Sequence, residues 1–330
     1  MSGSRLPRVI ITDCDHGTTV PEQEILRGFA EIELYQRNDE DGLLEICLDA
    51  DGIITQYGRF SRRVLKALRR CKAICRYGVG VDTVDLAAAT DCGILVAFVP
   101  DYCTDEVSNH AAALILALHR AVVSLDRAVK NGNWKFRVAS PIARLAGQTA
   151  GIIGLGRIGL MLADKLRGFG LTVQATDPYR QEWPEWIRRV SLDEVLATSD
   201  IVSIHCPLTT ETRHLIGTAA LRKMKPSACL VNTARGAIVD PAAILQALRE
   251  KWIASAALDV QETEPMPADH PLAGLDNVIL TPHSGWYSEG SIVELKRKVA
   301  TSIRRALEGK VPAAVANPEV LNRPPWKGAW

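Results

Sequence analysis

A regular alternation of short β-branched runs with helical segments constrains the fold of this chain more than any other feature. In the first third, Arg8 to Asp13, Glu31 to Gln36, Gly52 to Thr55, Ala73 to Arg76 and Ile94 to Phe98 read as strands. Runs this short and this apolar suit buried strands and are too brief for independent helices. Helical patterns lie between them; Arg62 to Arg70, for example, puts Val64, Leu65 and Leu68 on one face. Parallel strands need a crossover of a dozen or more residues, usually a helix, so the alternation predicts an α/β chain with parallel sheets. A second series begins at Thr149 after the turn-like Leu145-Ala146-Gly147, with strands near 150–154, 172–176, 201–205, 228–232, 255–259 and 278–280. Between the series, one long helix is expected from Asp105 to about Lys130. It is rich in Ala and Leu around most of its circumference, so it should be buried between layers or between subunits. At 330 residues the chain has room for roughly two domains, and no repeat or Gly/Ser-rich linker marks their boundary.

Charge and composition narrow the partners. Thirty-nine Lys and Arg against thirty-eight Asp and Glu leave a net charge of +1, which disfavours nucleic acid as a partner, because a polyanion calls for a basic surplus on one face. The longest uninterrupted apolar run, Ala111 to Leu118, is far short of the roughly 20 residues that span a bilayer, so no membrane partner is expected. Met1 to Arg8 carry no apolar stretch of the kind a secretory leader needs. The eight cysteines are scattered, and the closest pair, Cys71 and Cys75, has no histidine or second pair nearby. Reduced thiols in a cytoplasmic protein, with no metal, are the expectation.

The first chemical motif is Gly154-Leu155-Gly156-Arg157-Ile158-Gly159, entered from the apolar strand Gly151-Ile152-Ile153 and followed by the helical Leu160 to Leu166. A glycine triplet alone is weak; between a strand and a helix it describes a dinucleotide-phosphate turn. Gly154 makes the tight turn, Gly156 lets backbone approach a pyrophosphate, and Gly159 lets the helix pack on the strand. The helix N-terminus offers free N–H groups and the positive end of its dipole. Asp177 closes the next strand, Leu171 to Thr176, where an acidic residue accepts bonds from a ribose 2′-hydroxyl and repels a 2′-phosphate. NAD is thereby favoured over NADP, although Arg180 stands three residues on and could offset the repulsion.

Further polar loops end the later strands: Ile204-His205-Cys206-Pro207-Leu208, Asn232-Thr233-Ala234-Arg235-Gly236, Asp259 before Glu262-Thr263-Glu264-Pro265, and Thr281-Pro282-His283-Ser284-Gly285-Trp286. In a doubly wound sheet these carboxyl-end loops converge on one crevice. Arg, Glu and His gathered there suit hydride reduction of a 2-oxo acid. An arginine fork holds the carboxylate and polarises the carbonyl. A histidine protonates the new alkoxide, and a neighbouring carboxylate keeps it a proton donor near neutral pH.

The ordered set GLGRIG, Asp177, NTARG, ALDV with Glu264-Pro265, and TPH resembles the D-2-hydroxyacid dehydrogenases over nearly the whole chain. The resemblance implies a flavodoxin-like substrate domain of residues 1–104 and 296–330 and a Rossmann NAD domain of residues 105–295, with a cleft between them. It implies substrate binding by Arg235, acid–base work by His283 and pairing of Glu264 with His283. Leu155 and the N–H groups of Arg157 and Ile158 fall on the pyrophosphate. His205, Cys206, Pro207 and Thr212 fall on the adenine and phosphate side. Thr233, Ala234 and Asp259 fall near the nicotinamide, and Gly285 joins the cofactor set. In the first domain, Arg76-Tyr77-Gly78-Val79-Gly80 resembles the family loop whose N–H groups, at Val79 and Gly80, receive the substrate carboxylate, with Arg76 beside it. Tyr57 and Trp286 are implied pocket walls, with Tyr77 and Tyr102 helping to set pocket size. A homodimer through the 105–130 helix is implied as well.

Departures from sister groups are informative. Glu264 stands where formate dehydrogenases carry glutamine, and Val79 where phosphonate dehydrogenases carry lysine. Asn109 occupies a position that is often acidic in the family. The run His283 to Glu289 also resembles the C-terminal-binding-protein corepressors, which sense NADH and dock peptides, and this is the alternative function.

Overall fold

The computed structural model describes residues 5–328; Met1 to Ser4, part of the segment read above as lacking a leader, lie outside the described residues. The chain divides into two compact units, one formed by Met1–Tyr102 with Ser288–Trp330 and the other by Cys103–Tyr287.

In the first unit the expected alternation is present: β1 (Arg8–Ile11), α1 (Val20–Leu26), β2 (Glu31–Leu34), α2 (Glu40–Cys47), β3 (Gly52–Thr55), α3 (Arg62–Ala67), β4 (Ala73–Arg76), α4 (Leu86–Asp91) and β5 (Leu95–Ala97). The strands form one parallel sheet in the order β2-β1-β3-β4-β5. Because strand side chains alternate between faces, Ile10, Ile53, Ile74 and Val96 join Leu43, Phe60, Val64 and Leu65 in one buried layer. Each such side chain contributes about 1.5–3 kcal/mol on burial. The long helix that returns to this unit, residues Glu289–Leu307, packs on β3, β4 and β5, where Gly52 leaves room for Ile303.

The second unit holds α5 (Thr104–His119), α6 (Val122–Lys130), β6 (Thr149–Ile153), α7 (Arg157–Gly168), β7 (Thr172–Thr176), β8 (Arg188–Arg189), α8 (Leu192–Thr198), β9 (Ile201–Ile204), α9 (Thr218–Lys223), β10 (Cys229–Asn232), α10 (Pro241–Arg249), β11 (Ser255–Leu258) and β12 (Val278–Leu280); the returning helix is α11. Its parallel sheet runs β12-β11-β10-β9-β6-β7-β8. The strand order reverses between β6 and β9, and open α/β sheets bind ligands outside the strand ends at such a switch point.

One expectation is corrected. The helix foreseen from Asp105 to Lys130 is two helices, because Ala121 takes a left-handed backbone (φ +50°) that an L residue adopts only at a cost and that no helix continues through. Only the first half is buried: α5 places Val107, Ala111, Ala112, Leu114 and Ile115 inward and packs on α7, β10 and β11. No residue of α6 is buried.

The C-terminal segment runs beside β5, with Ala316 N donating to Val96 O at 2.8 Å, and a buried amide adds to the hold. Asn317 accepts the N–H of Val96 at 2.8 Å and donates to Thr90 Oγ1 and Ile94 O, each at 3.0 Å. Deleting it strands a buried N–H and a buried carbonyl, so Asn317→Ala should lower stability by about 2–3 kcal/mol, read as a shifted midpoint in urea unfolding.

Candidate functional site

The glycine turn after β6 is built as its spacing demands, with one reason that only the structure shows. Gly154 has φ +89°, and a Cβ there would lie 2.5 Å from the backbone nitrogen of Cys206, so the loop after β9 closes directly on it. A Cβ on Gly159 would lie 2.3 Å from the Gly154 carbonyl, which is the close helix–strand packing expected. A Cβ on Gly156 would meet nothing within 4 Å. The start of α7 therefore faces open space with no side-chain cap on its first N–H groups. That is the local form of an anion site, and it fits a dinucleotide pyrophosphate at the N–H groups of Arg157 and Ile158, whereas Leu155, expected there too, is buried with its N–H taken by Asp177.

Asp177 sits at the end of β7 beside this turn; Oδ2 accepts the N–H of Leu155 at 2.9 Å and Oδ1 that of Tyr179 at 3.0 Å. Arg180 is turned onto backbone, donating to Leu155 O at 2.6 Å and Glu182 O at 2.5 Å. Thr212 donates to Pro207 O and accepts from Thr209 N, both at 2.7 Å, closing the loop that carries His205, Cys206 and Pro207. The His205 ring lies 2.8 Å from Ser203 Oγ, and burial pulls its pKa down to about 4, so it is neutral. The Thr233 hydroxyl is buried and has no hydrogen-bond partner, as suits a group awaiting a ligand.

The loops after β10, β11 and β12 carry Arg235, Glu264 and His283, the residues expected to bind substrate and move a proton. Asn232, buried, accepts the N–H of Ala234 and donates to Arg235 O, shaping the turn that presents Arg235. Gly236 follows, where a Cβ would fall 1.9 Å from the Gln261 carbonyl carbon; only glycine lets these two loops touch. Arg235 donates to Ala234 O at 2.7 Å. Glu264 Oε1 accepts Gln261 N at 2.8 Å, and Oε2 lies 2.7 Å from His283 Nδ1. Burial pushes the Glu264 carboxyl up, but His283, the Gln261 N–H and the charge of Arg235 outweigh it and hold it below the usual carboxylate range. Glu264 therefore stays ionised and orients the imidazole through Nδ1.

His283 itself has φ +53°, a strained conformation for a residue with a side chain. Asp259 imposes it. The His283 N–H donates to Asp259 O at 2.7 Å, and the N–H groups of Ser284 and Gly285 donate to the Asp259 carboxylate, each at 2.9 Å. Thr281 Oγ1 adds a bond of 2.5 Å, and His110 Nε2 lies 3.3 Å away. Burial opposes the charge of Asp259, yet these donors bring its pKa down to about 2. Gly285 is required here, since a Cβ would lie 2.9 Å from Asp259 Oδ2. Trp286 follows, edge-on to Tyr287 at 5.9 Å.

In the first unit, Tyr57 is half exposed and anchored by its N–H to Asp13 Oδ2 at 2.6 Å, while Arg76 donates to Gln56 O at 3.1 Å. Val79 and Gly80 are partly exposed in the turn after β4. Tyr77, foreseen as helping to set pocket size, is instead buried with its hydroxyl bonded to Glu22. Sequence reasoning also missed His110 and Asp13. Neither belongs to a motif, and each acts on a loop far along the chain. Asn109 bridges Asp105 and Lys165, a neutral link inside an already charged pair.

A parallel sheet switching direction beside a glycine turn, with a buried aspartate holding a His–Glu pair at the neighbouring strand ends, defines a dinucleotide-dependent oxidoreductase. The chain belongs to the D-isomer specific 2-hydroxyacid dehydrogenase family, whose NAD-binding domain matches residues 112–285. It is 37% identical to the glyoxylate reductase of Korarchaeum cryptofilum over 97% of this chain and 98% of that protein. It is 40% identical to that of Thermofilum pendens over 86% and 83%. Among solved structures it resembles the D-lactate dehydrogenase of Aquifex aeolicus complexed with NAD and lactic acid, with a TM-score of 0.86 and 28% identity over 94% of this chain and 99% of that one. The enzyme thus couples an NAD(P) cofactor to a 2-hydroxy acid/2-oxo acid pair, and these relatives favour the dehydrogenase over the corepressor reading.

Asp259 gives a pH signature. Its folded pKa lies below the ordinary 3.8, so its contribution is present above that value and is lost as pH falls toward about 2. Asp259→Asn should cost on the order of 2 kcal/mol near neutral pH. In denaturant titrations across pH, the gap from the parent protein should hold above about pH 4 and close below it.

Proposed function

We propose that this chain is an NAD-dependent, cytoplasmic reductase of small 2-oxo acids, glyoxylate foremost, yielding the corresponding 2-hydroxy acid and running in reverse when the acid is in excess. The reading rests above all on the 2.7 Å pair between Glu264 and His283 at the strand ends. Bound NADH supplies a hydride to the carbonyl carbon. His283 Nε2 delivers the proton to the nascent alkoxide, with Nδ1 held by Glu264. Arg235 offers its planar fork to the substrate carboxylate, and the Val79 and Gly80 N–H groups and Arg76 offer it further donors, with Tyr57 and Trp286 as walls. The unit of Cys103–Tyr287 acts as the cofactor domain, and that of Met1–Tyr102 with Ser288–Trp330, which takes in the whole of α11, as the substrate domain. Asp177 accepts from the adenosine ribose 2′-hydroxyl, while Arg180 is engaged with two carbonyls instead of a 2′-phosphate, which supports NAD over NADP. The substrate names of the archaeal relatives and the NAD in the lactate dehydrogenase point the same way. All eight cysteines are free, as in a reducing compartment.

The protein also acts as a homodimer in this reading. Val122, Val123, Val129, Trp134 (85% exposed), Phe136 (75% exposed) and Val138 lie on α6 and the turn packed against it, a concentration of exposed apolar side chains that a second copy would cover. Trp134→Glu with Phe136→Glu should shift the sedimentation coefficient from dimer to monomer; a parent protein that already sediments as a monomer refutes the assembly.

The function is tested by following NADH oxidation with glyoxylate and larger 2-oxo acids. His283→Ala should lower kcat by about 10² to 10⁴ while NADH still quenches tryptophan fluorescence with near-parent affinity. Equal loss of turnover and NADH affinity would remove His283 from the chemistry, and no turnover with any 2-oxo acid would sink the reading.

A further inference from the structure

The first unit buries a complete ion pair that the chemistry above does not use. Glu22 on α1 and Lys296 on α11 are both fully buried and lie 3.0 Å apart. The Tyr77 hydroxyl donates to the same oxygen, Glu22 Oε1, at 2.5 Å. Lys296 Nζ also lies 3.3 Å from Cys14 Sγ and 5.3 Å from the centre of the Tyr77 ring. Glu22 Oε2 is buried with no hydrogen-bond partner. Such a pair is costly, and similarly sized apolar residues often serve stability as well or better. What it supplies that an apolar contact lacks is direction, since a carboxylate fixed by an ammonium holds one hydroxyl in one place.

That hydroxyl belongs to the residue between Arg76 and Gly78. The backbone around it is tied on two sides: Tyr77 N donates to Thr55 O at 2.8 Å, and Val99 N to Gly78 O at 3.0 Å. Gly78 has φ +139°, open to glycine alone, and the next two residues are Val79 and Gly80. The buried oxygen of Glu22 is the third tether, reaching the turn from inside the unit.

We propose that Lys296 and Glu22 are positioning residues that act through the Tyr77 hydroxyl to aim the Val79 and Gly80 N–H groups at the substrate carboxylate. This rests on the role given to that turn under the proposed function. α11 thereby contributes to substrate affinity without touching substrate, as does α1.

Two full-length variants test it: Tyr77→Phe, and the triple variant Glu22→Leu, Lys296→Met and Tyr77→Phe, which replaces the whole buried polar group by apolar side chains and strands no donor. In both, KM for glyoxylate should rise about tenfold, with KM for NADH within twofold of the parent and the thermal midpoint nearly unchanged. Oxamate binding to the NADH complex, measured by calorimetry, should weaken by a similar factor and needs no turnover. Parent-like glyoxylate KM and oxamate affinity in the folded variants overturn the inference. So does a parallel rise of both KM values with a lowered thermal midpoint, which marks a purely structural pair. If the parent binds oxamate but reduces no 2-oxo acid, the proposed reaction fails while the oxamate comparison still decides the positioning role. If the parent binds no oxamate, both fall.

Discussion

The buried carboxylate of Asp259 is where β11, the loop after β12 and α5 are held together, and the reactive geometry depends on it. Two backbone N–H groups, a threonine hydroxyl and a histidine converge on its two oxygens. A charge in so dry a place persists only because every donor points inward. The consequence is a turn that forces His283 into a left-handed backbone and delivers its ring to Glu264. The strain of one residue is thus balanced by the hydrogen bonds of its neighbours.

Close backbone approach does the rest of the assembly. Gly236 meets the Gln261 carbonyl and Gly154 meets Cys206, so the loops beyond adjacent strands touch without intervening side chains. A nearly neutral chain can handle anions in this way because helix-end and turn N–H groups supply partial positive charge without formal charge. In the proposed function the uncapped start of α7 and the turn after β4 play this part, one in each unit.

Much of this is legible in the sequence. The strand series emerged from β-branched runs because burial on both faces of a parallel sheet leaves little freedom in residue type. The glycine turn, Asp177, Arg235, Glu264 and His283 stood out because each follows a strand within a few residues. The break at Ala121 left no signal, since alanine is a strong helix former and nothing around it in the sequence is a turn residue. Tyr77 counts in sequence among the residues that set pocket size, because an aromatic beside a glycine turn looks the same there whether it faces solvent or core. Its burial depends on Glu22 and Lys296, 55 residues before it and 219 after it.

Residue order alone was enough for the α/β class, two parallel sheets, a dinucleotide turn and an acid–base set, because these depend on periodicity and on spacing within one strand–loop–helix unit. Partners separated by scores or hundreds of residues were decided only by the folded chain: His110 with Asp259, Asp13 with the Tyr57 turn, and Lys296 with Glu22 and Tyr77. Nothing in local spacing encodes those meetings. They arise where sheet order and helix packing bring distant polar groups into a dry interior, and there each must find a partner or carry the cost of burial.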